Sequence, residues 1–193
     1  MLTRYRYVKR CLDIVAAVIG LSIFLIPGII IAVAIKLDSE GPVFFIQQRM
    51  GRNSKPFHCY KFRSMYITAP SNCTANNLQH RESVVTKVGN FLRKSSLDEI
   101  PQLINVLKGE MSLIGPRPLI LSETWINEER ARQGVYQLQP GITGLAQICG
   151  RNHVSDNNKL YFDKYYLEHY SFLMDVKIFF GTILYVLTAK DIY

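Results

Sequence analysis

No acidic residue occurs between Gly41 and His80, and no C-x-x-C pair occurs anywhere in the 193 residues. The cysteines Cys11, Cys59, Cys73 and Cys149 are scattered, with no histidine at ligand spacing from any of them. That excludes a zinc site and a disulfide framework and fits a reducing setting. Zinc-finger and RNP-like blocks are missing too, so nothing beyond charge points to nucleic acid, and no nucleic-acid partner is expected. The length suits one functional unit with a real core. Against the missing acids stand 23 Lys and Arg to 15 Asp and Glu, a formal +8 and a pI near 9.4. Such a balance calls for anionic partners, whether nucleic acid, lipid head groups or phosphorylated substrates, and charge alone does not choose among them.

Charge is also missing from residues 14–35, "IVAAVIGLSIFLIPGIIIAVAI". As a continuous helix this run would reach about the thickness of a bilayer core. Its apolar length exceeds the roughly 7 to 15 residues of a signal peptide, although "YRYVKR" before it and Ala32-Val33-Ala34 within it resemble one. Basic residues flank both ends: Arg4, Arg6, Lys9 and Arg10 before, and Lys36, Arg49 and Arg52 after. Both flanks therefore prefer the cytoplasmic side. Pro27 lacks the amide hydrogen that would reach the carbonyl of Ile23, and Gly28 loosens the chain beside it. A helix broken there can enter a membrane and return to the same face; a kinked spanning helix is the alternative. Ser22 is expected to bond the Val18 carbonyl four residues back.

Residues 43–48 and 57–64 read as two strands joined by a turn rich in Gly51, Asn53 and Pro56. Arg49, Arg52, Lys55, Lys61 and Arg63 gather there, to lie on anionic lipid, to line a phosphate pocket, or simply to face water. Residues 69–80, "APSNCTANNLQH", read as a loop. Further on, "SSLDEIPQLINVLKGEMSLIGPRP" spans residues 95–118. Ser96 to Glu99 spells a capping box, Leu103, Ile104 and Leu107 follow at helical spacing, and Gly109 is a stop. Pro101 favours a later start, nearer Asp98. Either start leaves Asp98 and Glu99 at a helix N-terminus, which favours ionised acids and welcomes a metal-bound diphosphate. Neighbouring helical residues point about 100° apart, so the two acids should have distinct roles rather than share a proton. In "GPRP" the prolines restrict the backbone around Arg117, whose guanidinium suits bidentate phosphate contact.

Taken in order, "QQRMG" with "YKFRSM", "LRKSSLDEIPQLINVLKGEMSLIGPRP", "PGITGLAQICGRN", "FDKYY" and "SFLMDVKIF" closely resemble the monotopic bacterial phosphoglycosyl transferases, also called bacterial sugar transferases, from about Lys9 to Leu187. The resemblance implies transfer of a sugar 1-phosphate from a UDP-sugar donor to a polyprenol phosphate acceptor, with release of UMP, as the first membrane step of surface glycan assembly. It implies Mg²⁺ as cofactor, held at Asp98 and Glu99. It makes Asp98 the nucleophile that forms an acyl-phosphate intermediate, Glu99 its partner, and Arg117 the phosphate clamp. Lys61, Arg93, Arg49, Pro116, Gln147, Arg151 and Asn152 are the further substrate-binding positions that it implies. The chain departs from the common pattern at Ile26, where serine often precedes the membrane proline, and at Gln139, Leu145 and Cys149.

The expected fold is α+β, a membrane-associated monotopic domain with a short β-hairpin and interfacial amphipathic helices. Residues 1–36 would form the basic segment and re-entrant helix, broken at Pro27, and residues 37–193 a catalytic domain facing the cytoplasm from the bacterial inner membrane. The C-terminal "FLMDVKIFFGTILYVL" carries Asp175 and Lys177 and fits a helix lying in the interface, with a buried core helix as the alternative. Without the added membrane bundle of larger members, the chain resembles the minimal form, and by that resemblance an N-acetylated or diacetamido sugar is expected.

Overall fold

Two helices meet at a bend of 60° to open the chain, α1 (Leu2–Ile23) and α2 (Leu25–Asp38). The computed structural model describes residues 2–69, 84–150 and 154–188. Phe24 is the hinge, with φ −88° and ψ 7°. Pro27 falls in the first turn of α2, where a missing amide hydrogen costs nothing, because first-turn amides have no partner inside a helix. The break expected at Pro27 therefore appears one turn earlier, where the lost bond to Ile23 would have been. The hydroxyl of Ser22 donates to the Val18 carbonyl at 2.9 Å, as expected. No single helix among the described residues is long and apolar enough to cross a membrane; the bent pair together has that length and composition.

A hairpin follows, β1 (Phe44–Met50) against β2 (Pro56–Phe62), in antiparallel register from Phe44 with Phe62 to Met50 with Pro56. The second strand ends at Phe62, sooner than its sequence suggests, although the Arg63 amide still bonds the Val43 carbonyl, and the Arg63 side chain turns to α2. Its guanidinium donates to the carbonyls of Ser39 and Glu40 at 2.7 and 2.6 Å, closing the C-terminus of α2. Arg10 does the same for a later helix, donating to the carbonyls of Val106 and Leu107. Part of the basic excess thus satisfies the last carbonyls of helices rather than meeting a partner.

Next come α3 (Lys87–Lys94), a 3₁₀ turn over Leu97–Glu99, and α4 (Gln102–Lys108). Thr86 caps α3 by accepting from the Gly89 amide. Gly109 ends α4 with φ 81°, the left-handed conformation that the sequence anticipates. The outer edge of β2 is closed by a side chain: Asn105 accepts from the Tyr60 amide and donates to the His58 carbonyl.

The sequence gives no sign of a second sheet, yet β3 (Ser112–Ile114) pairs in parallel with β4 (Gly141–Thr143) across α5 (Thr124–Arg132). Backbones crowd there so closely that a Cβ on Gly141 would lie 2.1 Å from the Gly115 nitrogen. The chain finishes with α6 (Leu145–Ile148), α7 (Asp156–Glu168) and α8 (Phe172–Thr188), completing an α+β architecture.

Three apolar clusters hold these pieces. Ala17 of α1 packs with Phe57, Cys59, Val106 and Met111. Ile35 of α2 packs with Phe62 and Leu92, joined by Leu97 and Ile100. Ile114, Leu138, Tyr166 and Ile178 form the third. In α8 the acid faces inward and apolar side chains face outward. Asp175 is buried, accepting from Tyr5, Lys9 and Tyr166, while Phe172, Leu173, Phe180 and Leu184 are exposed.

Candidate active site

Leu97 and Ile100 bracket the acid pair and anchor it, since both pack against the Ile35, Phe62 and Leu92 cluster. Between them the chain is a 3₁₀ turn, not the start of a regular helix. Ser96 takes the left-handed conformation (φ 57°, ψ 15°) and makes no side-chain cap, so the capping box is not formed. Pro101 ends the turn and α4 begins at Gln102. The acids therefore sit in a short turn ahead of α4, and burial and neighbouring side-chain charges set the direction of their shifts.

Glu99 is spent on cations. Its Oε1 accepts from Lys61 Nζ at 2.6 Å and from Arg117 Nη2 at 3.1 Å. Burial opposes its ionisation, but Lys61 and Arg117 outweigh burial and hold its carboxyl far below the usual range. Asp98 moves the other way: burial raises its pKa, Glu99 reinforces the rise, and Lys61, Arg93 and Arg117 oppose it. Neighbouring residues with opposite shifts are the pattern that separates two roles.

Asp98 lines a cavity of about 340 Å³ together with Arg49, Lys61, Arg93 and Arg117. The remaining wall includes the stacked rings of Phe44 and Phe62, with centroids 5.5 Å apart, and Tyr66. Five of the expected positions, from four separate stretches of chain, thus meet in one place. Glu99 and Arg117 also line a second cavity of about 310 Å³, and Gln147 belongs to that one rather than to the first. The Gln147 amide donates to the Ile142 carbonyl, while its Oε1 is buried without a hydrogen-bond partner among the described residues. Arg151 and Asn152 lie outside the described residues, as does all but the first residue of the loop expected over 69–80.

The backbone of the "GPRP" segment is held by every neighbour. Five successive carbonyls accept in turn: Pro116 from the Gly141 amide, Arg117 from Arg130, Pro118 from Arg49, Leu119 from the Met50 amide and Ile120 from Asn127. Pro116 is thus a rigid element of this segment, and Arg49 both lines the cavity and supports the loop. Arg130 is itself buried and paired with Asp163 of α7 at 2.5 Å. Sequence reasoning assigned no task to Arg130, Asp163 or Asn127. The signal for Asp163 was its place in "FDKYY"; Arg130 sits in an ordinary-looking charged helix.

Magnesium fits this donor set in one specific sense. Among the described residues no group of three or more His, Cys, Asp or Glu side chains gathers into a metal cage. Mg²⁺ commonly uses one or two carboxylates, which Asp98 and Glu99 can supply, and takes its other ligands from substrate phosphates and water.

The family profile described as bacterial sugar transferase matches residues 4–189. Among curated proteins, the chain is 41% identical to an uncharacterized sugar transferase, EpsL, of Bacillus subtilis, over 95% of this chain and 89% of that one. It is 40% identical to the UDP-N-acetylgalactosamine-undecaprenyl-phosphate N-acetylgalactosaminephosphotransferase of Aeromonas hydrophila, over 96% of this chain and 45% of the other. It is also 40% identical to the UDP-glucose:undecaprenyl-phosphate glucose-1-phosphate transferase of Escherichia coli, over 97% of this chain. The chain spans less than half the length of these last two relatives, 45% and 42%.

Proposed function

The chain belongs to the bacterial sugar transferase family, and from that premise we propose that it moves a sugar 1-phosphate from a UDP-sugar to undecaprenyl phosphate, releasing UMP. The observation that carries this reading is one cavity in which a half-buried carboxylate, Asp98, lies among Lys61, Arg93, Arg49 and Arg117. Four cations suit a diphosphate, and the aromatic wall of Phe44, Phe62 and Tyr66 offers a stacking surface for the base.

In the proposed first step an Asp98 oxygen attacks the phosphorus bearing the sugar. A P–O bond to Asp98 forms as the P–O bond to UMP breaks, and UMP leaves with the electron pair. In the second step an oxygen of the lipid phosphate attacks the same phosphorus and the Asp98 carboxylate is restored. Arg117, fixed through its backbone, holds the phosphate oxygens, while Lys61 keeps Glu99 ionised and in place. Asp98 and Glu99 are the residues that would hold Mg²⁺, which supplies neutralisation of the diphosphate. The bent pair α1–α2 would place this body on the cytoplasmic face of the inner membrane, with residues 37–193 as the catalytic part.

The test is a single-turnover assay. Protein incubated with UDP-sugar and Mg²⁺ but no lipid should release UMP up to about one per site. The Asp98→Asn variant should fold and release none. Failure of wild-type protein to release UMP without acceptor, where complete transfer proceeds, would exchange the covalent route for direct displacement. A panel of UDP-sugars in the same assay identifies the donor, which the relatives at 40% identity do not share.

A further inference from the structure

The second cavity differs in chemistry from the first, although Arg117 lines both. Its walls are aliphatic and aromatic: Leu103 of α4, Leu113 of β3, Ile142 of β4, Ile148 of α6, and Phe179 and Ile183 of α8. The two threonine hydroxyls in the wall are already used, since Thr143 and Thr182 bond each other at 2.8 Å and Thr182 also donates to the Ile178 carbonyl. Charge enters at one place, through Glu99 and Arg117.

This cavity does not end at its own rim. A third cavity, of about 160 Å³, shares Leu113, Ile114 and Phe179 with it and runs on to Phe172 and Phe180 of α8 and Leu12 of α1. Lys9, Asp13 and Asp175 also line this third cavity, but Lys9 and Asp175 are paired with each other and Asp13 accepts from the Leu113 amide, so the shared walls make one largely apolar track from Arg117 to α1. It is open along its length, for Phe179, Ile183 and Phe180 are 51%, 42% and 64% exposed. A soluble sugar nucleotide has no use for such a wall, whereas a long hydrocarbon ending in a phosphate matches both its ends.

We propose that this track, through Leu103, Leu113, Ile142, Ile148, Phe179 and Ile183, binds the head-proximal isoprene units of the polyisoprenyl phosphate acceptor, with its phosphate at Arg117. The proposal rests on the transfer reading above and adds that donor and acceptor occupy different cavities separated by Glu99 and Arg117. The second cavity lies at the low end of small-ligand sites, about 300 to 1,000 Å³, so it takes the first units and leaves the rest of the chain outside. The separation lets the lipid enter while the sugar phosphate stays on Asp98, reaching the phosphorus from the side opposite the hairpin.

Ile183 is the residue to change, because it lines the track and is half-exposed, so the core does not depend on it. Ile183→Trp should raise the KM for polyisoprenyl phosphate about tenfold or more, and the KM for the UDP-sugar less than about twofold. Equal changes in both constants, or none, would overturn the proposal. Wild-type protein that transfers to no polyisoprenyl phosphate would instead overturn the transfer reading, and this inference with it. A direct readout accompanies the kinetics: a diazirine-bearing polyisoprenyl phosphate in nanodiscs, photolysed and mapped by mass spectrometry. Adducts on Leu103, Phe179 or Ile183 that unlabelled polyisoprenyl phosphate competes away support the track. Adducts confined to the hairpin cavity, or equal labelling by a diazirine fatty acid, overturn it.

Discussion

At Asp98 opposing influences meet: burial and the Glu99 charge lift its pKa, while Lys61, Arg93 and Arg117 pull it down, and the net shift is upward. A nucleophile must be deprotonated, so the acid limb of kcat/KM should lie above the usual aspartate value of about 4. Glu99→Gln removes a neighbouring negative charge and releases two cations toward Asp98. The limb should therefore move to lower pH, which a pH profile of UMP release reads directly. For stability the signs are opposite. Glu99 is depressed in the folded state, so its contribution is present above its unfolded pKa and lost as pH falls through the folded one. Asp98 is raised, so its penalty at neutral pH is relieved on acidification. Strain lies next door: Ser96 is a non-glycine residue with φ 57°. Ser96→Gly should be tolerated, whereas Ser96→Val should cost about 1–2 kcal/mol in chemical denaturation, because a β-branched side chain crowds the left-handed backbone.

Among the elements, α5 and α7 reach the site through the backbone of Arg117 and line neither the first cavity nor the second. Arg130 and Asp163 support Arg117 through its carbonyl. Asp163→Leu alone should cost about 3–5 kcal/mol by leaving Arg130 charged and alone in the interior. The double variant Arg130→Met with Asp163→Leu should recover most of that stability in a thermal melt. Its kcat should nevertheless stay low, because the Arg117 carbonyl has lost its donor; full recovery of kcat would make the pair structural only. The elements that the sequence disclosed were those with local signals. The hairpin announced itself by alternation and turn residues, and α4 by Leu103, Leu107 and Gly109. Ser96-x-x-Glu99 misled, because a capping box and a salt-bridged turn share one spelling and only the distant Lys61 and Arg117 decide between them. The parallel pair β3–β4 was illegible at three residues per strand. The burial of Asp175 was illegible for a similar reason: its partners Tyr5 and Lys9 lie at the other end of the sequence.

Across the whole molecule the N-terminal helices are woven into the catalytic body. Ala17 is fully buried beside Phe57 and Met111, Asp13 accepts from the Leu113 amide, Lys9 pairs with Asp175, and Arg10 closes α4. Residues 37–193 expressed alone should therefore expose that cluster and leave Asp175 without its cation. Circular dichroism and size exclusion should find this piece aggregated or molten, while the full chain in detergent melts cooperatively. Chemical labelling of cysteines placed at the two ends of α1–α2 in vesicles would separate the re-entrant from the spanning arrangement: equal access from one side supports the first, access from opposite sides the second.

The strap of five bonded carbonyls from Pro116 to Ile120 also bears on how such an enzyme could be re-engineered. Donors from β1, β4 and α5 hold it, so an insertion or a shift in register there would break several bonds at once. Evolvability is in that sense unevenly distributed. A library aimed at a new nucleotide-base preference would be wasted on residues 116–120, and its productive diversity belongs in side chains such as Phe44 and Tyr66, which line the first cavity.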